Sequence, residues 1–157
     1  MRSRKLTSQV GMIQNLIKQT QQSCDDIELQ SHWAKYLCIL SSGLFEVAVQ
    51  EIYGDFVRKN TTQPIAKFIE SKLARITNPN MKVFLELSDS FNVSWKKELE
   101  EFTNENGRSE AINSIIANRN LISHGRGKDS SITVTQLQNW LEKSLEVIKF
   151  IDQQCSR

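Results

Sequence analysis

Between Ile27 and Lys59 apolar side chains return every three or four residues, and that run restricts the chain to folds built around one long buried helix. Trp33, Leu37, Leu40, Leu44, Ala48 and Ile52 keep the step, with Tyr36, Phe45, Val49, Tyr53 and Phe56 beside them. A helix apolar around so much of its circumference needs neighbours on most sides. The apolar stretch from Tyr36 to Val49 is broken by Ser41, Ser42 and Glu46 and falls short of the roughly 20 apolar residues of a membrane span, so it reads as a core helix, not an anchor.

The neighbours are visible on either side. A first helix is expected from about Thr7 to Gln22, where Val10, Ile13, Leu16 and Ile17 line one stripe. After Asn60-Thr61-Thr62, a stop followed by a new N-cap, Pro64 sits in the first turn of a third helix carrying Ile65, Phe68, Ile69 and Leu73. Thr77-Asn78-Pro79-Asn80 is a break. From Met81 to Asn106 the periodicity weakens to a short stretch through Val83, Phe84 and Leu87 and another through Trp95, Leu99 and Phe102. Ser109 is placed as the N-cap of a helix bearing Ile112, Ile115, Ile116 and Ile122, which Gly125 ends. Thr135-Gln136-Leu137-Gln138 has the T-x-x-Q form of a capping box before a last helix of Leu137, Trp140, Leu141, Leu145, Ile148 and Ile151. With 157 residues, no internal repeat and no linker, the expectation is one all-α domain, a compact bundle of about five helices around one long central helix.

A net charge of +2 is too small to announce a nucleic-acid binder through bulk charge. Arg2, Arg4 and Lys5 open the chain, but no continuous apolar segment follows them as a secretory signal requires. Cys24, Cys38 and Cys155 are odd in number and form no CxxC, which argues against a disulfide framework or a zinc knuckle and fits a cytoplasmic location. The only histidines are His32 and His124, so neither a metal site nor any other cofactor is expected; His32, beside Trp33, reads as structural.

Chemistry concentrates in Arg119-Asn120-Leu121-Ile122-Ser123-His124, the last turn before Gly125. At about 100° of rotation per residue, with Arg119 at zero, Ser123 falls near 40°, Asn120 near 100° and His124 near 140°. Ile112, Ile115 and Ile116 surround the direction of Arg119, so the arginine stands where a leucine would be usual. A guanidinium there needs an acidic or phosphate partner, or a second chain closing over it. Glu46, alone among apolar neighbours, is expected to orient Arg119 across the bundle; the alternative is that it points to solvent. An imidazole such as that of His124 can both take and give a proton near neutral pH. RNA carries its own nucleophile, the 2′-hydroxyl, so its cleavage needs only a base, a cation for the developing charge and an acid for the leaving 5′-oxygen. Arg119 and His124 supply those types, Ser123 supports the helix end, and Arg126 and Lys128 in the following loop are candidates to hold RNA phosphates. The spacing of five does not align Arg119 and His124 on one line, so either the last turn is distorted or a second copy across a two-fold axis completes the geometry.

The run Ile116-Ala117-Asn118-Arg119-Asn120-Leu121-Ile122-Ser123-His124-Gly125 resembles the Arg-to-His motif of HEPN domains, especially the RiboL-PSP-HEPN branch, where an R-N-x-x-x-H-G form recurs. The segment Leu40-Ser41-Ser42-Gly43-Leu44-Phe45-Glu46 is similar in character to that branch's central helix. The resemblance implies a helical bundle that dimerises with Arg119 and His124 lining an interfacial cleft, metal-independent endoribonuclease activity, and roles as a toxin or in phage defence, with an antitoxin or other regulatory protein as a possible partner. By position, Arg119 would stabilise the phosphate, Asn120 would orient, and His124 would serve as acid or base. Two residues after the histidine, where some HEPN toxins carry a modifiable tyrosine, this chain has Arg126. The fold also has members that bind RNA or a protein partner without cutting, and that alternative stays open.

Overall fold

A computed structural model describes residues 1–157 as seven α-helices and one short 3-10 turn, with no strand. In chain order these are α1 (Arg4–Ser23), α2 (Ile27–Asn60), α3 (Gln63–Leu73), α4 (Met81–Phe91), α5 (Val93–Thr103), α6 (Arg108–Ser123), the 3-10 turn (Gly127–Asp129) and α7 (Val134–Gln154). The helix count exceeds the expected five because the weakly periodic stretch after Met81 forms two separate helices. Asn92 divides them: it is extended at φ −162°, its amide donates to Ser88 O to close α4, and its side chain accepts from Ser94 N to open α5.

Thirty-four residues make α2 the axis, and α1, α3, α6 and α7 all pack against it. Asp26 caps it, Oδ1 accepting from the amides of Glu28 (2.8 Å) and Leu29 (3.1 Å). By length and composition α2 meets the test for a membrane span, yet most of that stretch is buried against the other helices, as a core helix is. The core joins 29 buried residues drawn from all seven helices and the loop before α7, with Leu37, Phe45, Leu99, Ile112 and Ile148 among those fully enclosed. Phe45 of α2 meets Phe84 of α4 edge to face at 6.2 Å, and Tyr53 stacks on Phe91 at 5.0 Å while bonding Ser88 at 2.9 Å. α4 therefore runs along the C-terminal half of α2 and leaves the N-terminal half of that face uncovered.

Two caps lie elsewhere than the sequence suggested. The N-cap of α6 is Gly107 at φ +69°, not Ser109, which falls inside the first turn. Asn106 and Gly107 both take positive φ and swing the chain directly into the helix, and Arg108 anchors it there through Glu146 (2.7 Å), Phe102 O (3.0 Å) and the Phe102 ring. The capping box of α7 is Thr133 with Gln136, not Thr135 with Gln138: Gln136 N donates to Thr133 Oγ1 (3.2 Å) and Thr133 N to Gln136 Oε1 (3.1 Å). Both pairs have the right spacing, and burial of Val134 draws the start back by two residues.

Candidate functional site

The Arg119-to-His124 segment forms the last turn and C-cap of α6, and its exit is fixed by the backbone. His124 N donates to Asn120 O (3.1 Å), Gly125 takes φ +73°, and Arg126 N reaches back to Leu121 O (2.9 Å), the six-to-one bond of a Schellman motif. This reversal leaves His124 exposed at the end of the helix. Arg119, one turn earlier, is half-buried, and no carboxylate lies within ion-pairing distance of it. Its guanidinium turns instead toward the next residue, Nη1 donating to Asn120 Oδ1 at 3.4 Å. Asn120 thus serves both: its carbonyl receives the His124 amide and its side chain draws the guanidinium round toward the histidine's side of the helix. Ser123 is exposed on the arc between them.

Two residues that the sequence did not single out hold this turn in place. Asn118 Oδ1 accepts from the buried Ser130 hydroxyl (2.7 Å), and Asn118 Nδ2 donates to Ser114 O (2.9 Å), tying the loop after Gly125 back onto α6. Asparagine is a poor residue in a helix interior, and its place directly before Arg119 was the available signal. Asn118→Ala strands the Ser130 hydroxyl and should cost about 1–2 kcal/mol of unfolding free energy, with faster amide exchange through 124–133; an unchanged midpoint in denaturant would contradict this.

Cys38, fully buried on α2, is the second. Its thiol donates to Ile115 O at 3.4 Å, near the Arg119 backbone amide, so it marks the line where α2 touches α6. Burial pushes the Cys38 thiol up to about 12, outweighing that amide, and burial with the Asp152 carboxylate does the same for Cys155. Below the ordinary thiol value of 9.0 folded and unfolded chains both keep these protons, and the stability they represent is fully present. From there towards 12 only the unfolded chain gives them up, so stability falls by about 1 kcal/mol per pH unit per thiol. Denaturant unfolding across this window should show the decline. Burial also raises the Tyr53 phenol, which adds to it in the same direction, and Cys38→Ala should make the slope shallower. An identical slope in that variant would contradict the assignment.

The family model RiboL-PSP-HEPN matches residues 4–157. The chain belongs to that family. No curated protein and no solved structure matches it.

Not every anticipated residue of this HEPN domain joins the site. Glu46 does not pair with Arg119: its Oε1 accepts the Asn78 amide at 2.8 Å, where Asn78 takes φ 46° in the turn before α4. The turn amide needs an acceptor, and Glu46 lies two helical turns further along α2 than Cys38, which meets α6 at Ile115. Arg126 is bound to Asp129 at 2.8 Å across the 3-10 turn, so its charge is largely answered within the loop, whereas Lys128 is exposed and free of ion pairs. His32, read as structural, is exposed and makes no hydrogen bond. No three His, Cys, Asp or Glu side chains stand close enough to hold a metal ion, and all three cysteines are free and buried.

Proposed function

We propose that this HEPN domain is a metal-independent endoribonuclease of the cytoplasm, acting as a toxin or defence-type protein. The observation that carries the reading is a half-buried Arg119 with no protein carboxylate to answer it, drawn by Asn120 to the side on which His124 stands exposed. A cation left unpaired beside a proton-transfer group suits a phosphodiester better than it suits the folded chain alone. His124 takes the proton of the 2′-hydroxyl, the 2′-oxygen attacks the adjacent phosphorus, and Arg119 steadies the charge on the phosphorane-like transition state. The P–O5′ bond breaks as the leaving oxygen gains a proton from solvent, giving a 2′,3′-cyclic phosphate and a 5′-hydroxyl, and His124 then returns its own proton to solvent.

Arg119 and His124 point about 140° apart on an ideal helix, and a second copy related by a two-fold axis beside the end of α6 supplies the opposing pair and closes the cleft. A homodimer is therefore the working unit, and an antitoxin or other regulatory protein acts by covering that cleft. Single-stranded RNA incubated with the purified protein in excess chelator is expected to be cut while DNA of the same sequence stays intact. RNA retained but uncut would mark a binding module in place of an enzyme.

A further inference from the structure

α2 carries no carboxylate between Glu28 and Glu46, a stretch of the chain's longest helix whose only charged or titratable side chains besides Cys38 and the Tyr36 phenol are His32 and Lys35. On its outward side Leu29, His32, Trp33 and Tyr36 frame a shallow depression of about 410 Å³, with Trp33 meeting Tyr36 edge to face at 5.7 Å. Tyr36 is 49% exposed and Ile39, one turn on, 39%, while Lys35 is half-buried and makes no ion pair. Lone apolar side chains on a surface need no explanation, but three rings within five residues beside a free cation are a different composition.

The position of this strip relative to the site follows from three contacts. Cys38 faces α6, bonding Ile115. On α2 Lys35 lies about 60° round from Cys38, Ile39 about 100°, His32 about 120° and Tyr36 about 160°, on the same side as Glu46 at about 80°. Glu46 reaches Asn78, in the turn that leads into α4. On α6 Asn113 stands about 120° from Arg119, within the arc of Asn120 and His124, and its side chain accepts the Met81 amide at the start of α4. Both arcs therefore open on the side of the α2–α6 seam that α4 occupies further along. Since α4 lies over the C-terminal half of α2, Lys35 stands uncovered nearest α6, and the depression framed by Leu29, His32, Trp33 and Tyr36 opens further round, about 170° from Cys38 on the far side of α2.

The geometry points to this strip as a wall along which single-stranded RNA runs on from the scissile bond round α2: Lys35 takes a neighbouring phosphate and Tyr36, backed by Trp33, stacks a base of the flanking nucleotides. The assignment rests on RNA being the substrate of the Arg119–His124 site. The absence of acid along the strip complements a polyanion, and aromatic faces accept any base, which suits an unpaired strand and not a duplex.

The test separates binding from cutting. A fluorescently labelled 2′-O-methyl single strand lacks the nucleophile and stays whole, so its dissociation constant is measured by anisotropy over a salt series, alongside sedimentation of each variant. Tyr36→Ala is expected to weaken binding about 10- to 100-fold, with Tyr36→Phe near wild type, and Lys35→Gln to lower the salt slope by about one, all without change of oligomeric state. Wild-type affinity in Tyr36→Ala would overturn the wall even if unmodified RNA is still cut. Loss of affinity only together with conversion to monomer would assign the strip to a second copy of the chain. Tight, Tyr36-dependent binding with no cleavage of unmodified RNA would leave the wall standing and remove the nuclease.

Discussion

Alanine at His124 is expected to slow RNA cleavage by about 10²–10⁴-fold, the range that a positioned proton-transfer group contributes. The side chain is exposed and past the last turn of α6, so folding should be almost untouched, and an equal melting temperature in the variant would separate lost chemistry from lost structure. Arg119→Ala removes charge stabilisation at the phosphate and should cost about 10²–10³-fold. On the proposed mechanism both groups act on one transition state, so the double variant should be about as slow as the worse single one, and multiplicative losses would show that the two do not work together. Undiminished cleavage by His124→Ala would remove this histidine from the mechanism.

Phe45→Ala should have the largest effect on stability. The ring is fully enclosed and joins α2 to α4 through Phe84, so truncation leaves a cavity at the point where α4 first meets the central helix. A loss of about 3–5 kcal/mol is expected in denaturant unfolding, a large share of the roughly 5–15 kcal/mol that holds a domain together. The turn bonds of Glu46 to Asn78 and Asn113 to Met81 lie beside that contact, so the start of α4 should exchange its amides faster as well. A loss below about 1 kcal/mol would mean that the site collapses around the missing ring.

Most of the fold was legible because apolar period and caps are local. The stripes of α1 and α7 and the steps of α2 locate those helices within a few residues of their observed bounds. α4 and α5 were faint because each is only 11 residues long and Asn92 serves both ends. On α2 the period could not say which apolar residues face out: Leu37 and Phe45 are enclosed while Tyr36 and Ile39 are not, since that depends on where the neighbouring helices lie and not on α2's own sequence. At the site, Arg119 and His124 stood out as residue types that an apolar helix end does not call for. Their supports did not, because Cys38 meets Ile115 across 77 residues and Glu46 meets Asn78 across 32, pairings that no local pattern encodes.

The chemistry of the new ends tests the account most directly. Single-stranded RNA cut by the purified protein in excess chelator is predicted to end in a 2′,3′-cyclic phosphate with a 5′-hydroxyl on the partner fragment. Fragments ending in a 3′-hydroxyl and a 5′-phosphate would show that water, and not the neighbouring ribose, attacks the phosphorus, and would contradict the roles given to Arg119 and His124.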